Sequence, residues 1–302
     1  MGAETASTAA ADTTRVRAPS VMVTGANGFL GAHVVRRAYM SGYRVMGAVT
    51  TPVDGAGYVP WPLNPESGVP DGPPAELAAL IMAAGPSFAE DMVAAGPRHL
   101  EAVRRMLAWA RHWDVHRVLF VSALGADPDS VFPLHQVKAQ AEALVRQSGL
   151  AWTIVRPSMM FGKESDFYRR LEAWAQQIFA LVPKTLGVAQ PVYVGDVAEA
   201  IMRLMVMPGV EGAAYDLPGP HPLGVYDIVK HVNGDASVWS PRWTIRVPEA
   251  WGDSGVVQWP WTVAEWDYFG VEPYIRDVRW MSELGILPRP LSMFFGPHPH
   301  QL

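Results

Sequence analysis

The stretch SVMVTGANGFLGAHVVRRAYMSGYRVMGAV, residues 20–49, constrains the fold more than any other part of the chain. Val21 to Thr24 reads as a short buried strand. A helix follows with Leu30, Val34, Val35 and Ala38 on one face, Gly42 ends it, and Val45 to Val49 reads as a second strand. Strand, helix and strand in about thirty residues form the β-α-β unit that opens a parallel sheet. Between the first strand and the helix stand Gly25, Gly28 and Gly31, spaced G-x-x-G-x-x-G. In that setting each glycine has a reason. The first permits the tight turn, the second lets backbone approach a pyrophosphate, and the third permits close packing, with the helix N-terminus facing the phosphates. The alternative is that all three serve packing alone.

The alternation continues. A third strand is expected around Tyr58 to Leu63, with the helix after it cut to a loop by the Pro- and Gly-dense run TPVDGAGYVPWPLNPESGVPDGPPAEL. LAALIMAAG reads as a fourth strand, GPRHLEAVRRMLAWARHWDV as a helix and HRVLFVSALG as a strand ending in Ser122. VKAQAEALVRQSG is a helix, and AWTIVRPSMMFG a strand running into a loop at Pro157. After Gly162 the pattern decays. SDFYRRLEAWAQQIFALV is expected to be a helix, and QPVYVGDVAEAIMRLMVM a short strand and a helix capped by Asp196. Seven of the twelve tryptophans fall between Trp239 and Trp280, among many prolines, where no regular element can be placed.

The fold class is therefore α/β: a Rossmann-like, doubly wound parallel sheet with a small irregular C-terminal lobe. The domains expected are an N-terminal arm over 1–19, a dinucleotide-binding domain over 20–165, and a mixed helical and irregular lobe over 166–302, with 190–218 contributing to the sheet side. The arm, rich in Ala, Ser and Thr, is read as an ordered polar segment or a retained targeting signal. With Glu4 and Asp12 balancing Arg15 and Arg17, it is a poor match to a cleaved presequence.

Composition excludes several functions. Of the 302 residues 49% are hydrophobic, enough for a sizeable core. A net charge of -5 gives no footprint for nucleic acid. No apolar run reaches the roughly 20 residues of a membrane span. With no cysteine there is no disulfide, thiolate metal site or cysteine nucleophile, and the nine histidines show no metal spacing.

Lys138 raises the question of chemistry. In a large class of nicotinamide-dependent enzymes a lysine follows a catalytic tyrosine by four positions, one helical turn, and its charge lowers the phenol pKa from about 10. Four positions before Lys138 stands Leu134, which has no proton to give. His135 is the nearest substitute, but one step along a helix turns it about 100° off the lysine's face. Lys138 remains able to hydrogen-bond a nicotinamide ribose, or is a solvated helix lysine. Ser122 lines the cofactor cleft or caps its strand. Ala84, ending the fourth strand, joins the candidate wall. At the adenosine end Thr50 offers a neutral hydrogen bond after the second strand, and Asn64 can meet an adenine edge or be a loop residue.

VTGANGFLG, VLFVSALGADPDS, KAQAEALVR, VRPSMMFG and QPVYVGDVAEAI together resemble the atypical short-chain dehydrogenase/reductase superfamily. Within it they resemble the nucleotide-binding accessory subunits of mitochondrial respiratory complex I. The likeness extends through AYDLPGPHPLGVYDIVKHV and EPYIRDVRWMSELGI, covers most of 20–290, and is weakest over 51–76. The resemblance implies a non-catalytic chain that holds NADP(H), with NAD(H) as the alternative, as a structural ligand. It implies other subunits of a large membrane complex as partners, and a peripheral position on the matrix side of the mitochondrial inner membrane. Gly25, Asn27, Gly28, Phe29, Leu30 and Gly31 match the phosphate-binding turn, Lys138 the retained lysine, and Pro157 and Ser158 the segment passing the nicotinamide. The chain departs from the family twice: Thr50 stands where an arginine follows the second strand, and Leu134 where a tyrosine is usual. Two rival readings of the same fold are an NAD(P)-dependent reductase or epimerase, working through Ser122 and His135, and an organellar assembly or scaffold factor.

Overall fold

The structure is a computed structural model that describes residues 18–53, 55, 57–62, 76–86, 90–175, 179–183, 188–224, 226–228, 243–247 and 274–295. The arm over 1–17, the run 63–75 with Asn64, and Trp239, Trp251, Trp259, Trp261 and Trp266 lie outside the described residues. In chain order the first elements are β1 (Ser20–Thr24), α1 (Phe29–Met40), β2 (Arg44–Val49), β3 (Val59–Pro62), β4 (Leu77–Met82), α2 (Met92–His112), β5 (Val118–Val121), α3 (Pro133–Arg146) and β6 (Trp152–Pro157). There follow β7 (Met160–Phe161), α4 (Asp166–Ala175), β8 (Phe179–Pro183), β9 (Val188–Ala189), β10 (Val192–Tyr193), α5 (Val194–Val206), β11 (Ala213–Leu217) and β12 (Leu223–Gly224). The last are β13 (Trp243–Val247), α6 (Trp280–Glu283) and α7 (Ser292–Phe295).

Seven strands form one parallel sheet in the order β11-β6-β5-β4-β1-β2-β3. This is the doubly wound Rossmann arrangement expected from the sequence. The order reverses between β1 and β4, and the crevice beyond their carboxyl ends is where such sheets bind ligands. The middle strands are apolar on both faces: β1 is buried throughout and β4 at all but one position. Each face is covered by helices, as an all-parallel sheet requires. On one, Leu30, Val34 and Val35 of α1 pack with Val197, Ile201 and Leu204 of α5. On the other, Val103, Met106 and Leu107 of α2 and Ala141 and Val145 of α3 cover Met22, Leu80 and Phe120. β3 carries Pro60 and Pro62 and is tolerated because it is an edge strand, where a missing N–H goes unused.

Three expectations are corrected. Residues 165–182 are not one helix. α4 ends at Ala175, and Phe179–Pro183 is a strand paired in parallel with Trp243–Val247. An apolar run this short fits either state, and its partner lies some sixty residues away. That partner also places a strand within the tryptophan-rich region. Asp196 does not cap α5. Tyr193 holds the N-cap position, and Asp196 lies in the first turn, 1% exposed, with its carboxylate on the Arg289 side chain at 2.7 and 2.6 Å. Finally, α2 starts at Met92 rather than near Gly96, because Asp91 caps it by accepting from Val93 N at 2.9 Å, and Pro97 is carried inside the helix.

Candidate nucleotide-binding site

The site is built around the entry to α1. The Thr24 hydroxyl accepts from the Ala84 N–H at 3.1 Å, which draws the end of β4 against the end of β1. Gly25 turns the chain at φ +64°, and a Cβ there would lie 2.9 Å from Ala84 Cα, so only glycine lets turn and strand meet. At Gly31 a Cβ would overlap the Gly25 carbonyl. Gly28 differs from both: its Cβ would meet that carbonyl at 3.1 Å and otherwise open space. Gly28 is also the N-cap of α1, and no side chain caps the helix. The N–H groups of the first turn, which lack acceptors within the helix, are thus left for a ligand.

A cavity of about 940 Å³ opens from this turn. Its lining brings together Gly25, Asn27, Gly28, Phe29, Leu30 and Gly31 with Ala84, Ser122, Lys138, Pro157 and Ser158, at the ends of β4, β5 and β6 and on α3. These residues were singled out from the sequence. Thr50 is not among them: it is exposed just past β2. Asn27 reaches toward that loop, donating to Thr51 O at 2.6 Å and accepting from the Tyr58 hydroxyl.

Lys138 is not a solvated lysine. It is 6% exposed, donates to Val121 O at 3.3 Å and stands 5.8 Å from the Phe120 ring centre. Burial pushes its pKa down to about 8, against the opposing pull of Glu142. Gly85 leaves it room, since a Cβ there would come within 2.5 Å of the amine. Glu142, one turn further along α3, takes Arg156 of β6 in a two-point pair at 2.7 and 2.6 Å. Burial would raise the Glu142 pKa, but the hydrogen bonds and charge of Arg156, with the hydrogen bond from Arg146, hold it below its ordinary value. This pair fixes the register of α3 on the sheet and so the position of Lys138.

Leu134, one turn before Lys138, lines the cavity and is 3% exposed. His135 lines it nowhere. Its ring lies edge-on to Phe132 at 5.1 Å, with Nδ1 3.4 Å from Ser130 Oγ. Its pKa falls to about 4, chiefly by burial and against the Asp127 charge.

Sequence reasoning missed the opposite wall. Glu164, Ser165, Asp166, Phe167, Arg169 and Arg170 of α4 and its approach line the cavity, facing His33 and Arg36 of α1. His33 Nε2 lies 3.5 Å from Glu164, and its ring packs between Phe29 and Tyr193. The paired arginines of SDFYRRLEAWA were the available signal, but more than 130 residues separate them from the glycines. Ser158 Oγ, buried on the cavity wall, has no hydrogen-bond partner among the described residues. An uncapped helix start, space over Gly28 and this hydroxyl suit a dinucleotide. Among the described residues no group of His, Asp and Glu is placed to hold a metal ion, and no helix is long and apolar enough to cross a membrane.

Fold and site together are a Rossmann-like sheet with a cavity at its switch point that suits a dinucleotide. The model of the NAD(P)H-binding family matches residues 75–205, which meets the cofactor expectation at the level of NAD(P)(H). The chain is 29% identical over 154 residues to the 40 kDa subunit of mitochondrial NADH-ubiquinone oxidoreductase of Neurospora crassa, covering 50% of this chain and 39% of the relative. It is 31% identical over 108 residues to alpha subcomplex subunit 9 of the mitochondrial NADH dehydrogenase of Dictyostelium discoideum, covering 35% and 30%. The matches therefore span well under half the length of these relatives, and they bear out the resemblance read from the sequence. The photosystem II assembly factor Ycf39 of Cyanophora paradoxa is 24% identical over 259 residues, 82% of this chain and 78% of that one. Among solved structures, the triphenylmethane reductase of Citrobacter sp. complexed with NADP(H) superposes with a TM-score of 0.69 at 18% identity, over 91% of this chain and 98% of that one.

Proposed function

We propose that the chain is a nucleotide-binding accessory subunit of mitochondrial respiratory complex I that holds NAD(P)(H) as a structural ligand and does not turn it over. It is bound to other subunits at the matrix side of the inner membrane. Gly25, Gly28, Phe29, Leu30 and Gly31 hold the pyrophosphate, Ala84 and Ser122 line its path, and Lys138, Pro157 and Ser158 meet the nicotinamide end. The N-terminal arm, the Rossmann domain over 20–165 and the lobe over 166–302 are the units of this reading, with 190–218 returning to the sheet. A bound nucleotide supplies a hydride donor or acceptor. Reduction of a carbonyl also needs a proton at the substrate oxygen. The observation that carries the proposal is the place of Leu134: an apolar side chain fills the turn beside Lys138, and His135 faces away from the cavity.

The match to Ycf39 over 82% of the chain favours a second reading, an organellar assembly factor of the same fold. Purification of the tagged full chain from its own organelles separates the two. An accessory subunit co-migrates with active, mature NADH dehydrogenase in stoichiometric amount. Recovery only with assembly intermediates supports the second reading. Steady reduction of carbonyl substrates by the purified chain with NADH or NADPH, lost in His135→Ala, refutes both.

A further inference from the structure

In a Rossmann site the adenosine ribose lies beyond the end of the second strand, where an acid binds the 2′-hydroxyl or an arginine accepts a 2′-phosphate. Among the described residues that rim carries no Lys or Arg. β2 ends at Val49, and the exposed Thr50, Thr51 and Val53 follow. The loop is held by neutral groups: Asn27 donates to Thr51 O, the Tyr58 hydroxyl donates to Asn27, and the Tyr58 ring closes over Gly47. In the sequence no Lys, Arg or His occurs between Arg44 and Arg98, whereas residues 51–76 carry Asp54, Glu66, Asp71 and Glu76. The cations that do line the cavity stand elsewhere. Lys138 sits at its floor on Val121 O, and Arg169 and Arg170 belong to α4. Arg36 shares the outer face of α1 with Phe29 and His33, which turn toward Tyr193 and Glu164.

Resting on the nucleotide-binding reading of this cavity, we infer that the site selects the dinucleotide without a 2′-phosphate, NAD(H) over NADP(H). A 2′-phosphate brings roughly two negative charges, and such a group is held where Arg or Lys can meet it with charge-assisted bonds. Here it would meet threonine hydroxyls and an asparagine already engaged. A 2′-hydroxyl needs only the neutral hydrogen bonds the rim offers.

Titration calorimetry of the full chain with NADH, NADPH and ADP-ribose at about 0.15 M ionic strength tests this. NADH is expected to bind at least about tenfold more tightly than NADPH. Thr50→Arg, which puts a guanidinium on the rim, is expected to reduce that ratio by about tenfold or to invert it. NADPH binding as tightly as NADH, or a ratio unmoved by Thr50→Arg, overturns the inference. So does an NADPH preference that Arg36→Ala removes, because the phosphate would then lie on α1. Failure of the cavity as a nucleotide site looks different: neither dinucleotide nor ADP-ribose registers at millimolar concentration, and both conclusions fall together.

Discussion

Two buried histidines behind the cavity floor make the fold acid-sensitive in a calculable way. His99 of α2 is 8% exposed and stacks on Phe120 at 6.4 Å; burial and then the Lys138 charge lower its pKa from 6.5 to about 3. His135 is 1% exposed, and its pKa is lowered to about 4. Both folded values lie below the unfolded one. Above pH 6.5 neither state takes the proton, and nothing is lost. Below it the unfolded chain binds protons the folded chain refuses, so stability falls with pH down to about 4 and 3. At pH 5, taken as about 1.4 kcal/mol per pH unit over the interval from 6.5, each histidine costs about 2 kcal/mol and the pair about 4. Domains of this kind are stable by about 5–15 kcal/mol in all. The perturbation is His99→Phe, which keeps a ring against Phe120 and removes the titrating nitrogen. Urea midpoints measured from pH 7.5 to 4.5 are expected to fall less steeply in the variant, which retains about 2 kcal/mol more at pH 5 relative to its own value at pH 7.5. Asp196, whose pKa burial raises against Arg289, and Glu142, whose pKa is lowered, titrate in both proteins and cancel in the comparison. Parallel curves for parent and variant would show that His99 takes up protons in the folded state as freely as in the unfolded one, and the reasoning would be refuted.

The two critical glycines should fail differently. Gly31→Ala puts a methyl into the Gly25 carbonyl and is expected to lower the melting temperature strongly even without ligand, whereas Gly28→Ala, whose methyl meets that carbonyl at 3.1 Å, should lose less without ligand and forfeit part of the nucleotide's stabilisation, which is about 2.7 kcal/mol at a hundredfold excess over Kd. Equal melting of both variants with and without NADH would contradict these separate roles. Arg289→Met takes the guanidinium from the buried Asp196 carboxylate but keeps the residue 289 N–H bond to it, and should cost about 1.5–3 kcal/mol, with part of that recovered in Arg289→Met/Asp196→Asn; additive losses in a double-mutant cycle would show that the two side chains act independently.

The sequence displays the part of this site that is local. Gly25, Gly28 and Gly31 lie within seven residues, in one strand-turn-helix unit whose geometry is set by neighbouring positions. The strand ends carrying Ala84, Ser122 and Pro157 follow once the sheet is recognised as parallel, because all its carboxyl ends face one way. What stayed hidden depends on distant pairing. Phe179–Pro183 becomes a strand only beside Trp243–Val247, and α4 lines the cavity more than 130 residues from the glycine turn. Asp196 looked like a cap because acids favour helix starts; its partner Arg289 is 93 residues away. Of the tryptophans, Trp280 is buried in the chain's own core and donates to Pro218 O at 3.0 Å.

Segment 274–295 is late in the sequence but is bound to α5, one of the helix pair on one face of the sheet. Gln190 exchanges two hydrogen bonds with the Ile275 backbone, at 2.9 and 2.7 Å, and Arg289 binds Asp196 while its guanidinium lies 4.4 Å over the Tyr193 ring. Tyr193 in turn stacks on Phe294 at 4.4 Å and touches His33, which packs on Phe29 of the glycine turn. A nucleotide in the cavity would thus touch residues from Gly25 to Arg170 directly, and Phe29 would connect it to the C-terminal strap. Binding of a ligand across so many segments adds to the stability of the whole fold by mass action. Catalysis asks for something else, an interaction stronger in the transition state than with the bound substrate. If the chain is the accessory subunit proposed above, Leu134 leaves the position one turn before Lys138 without a hydroxyl, and the cavity's contacts serve to hold the nucleotide as a structural ligand.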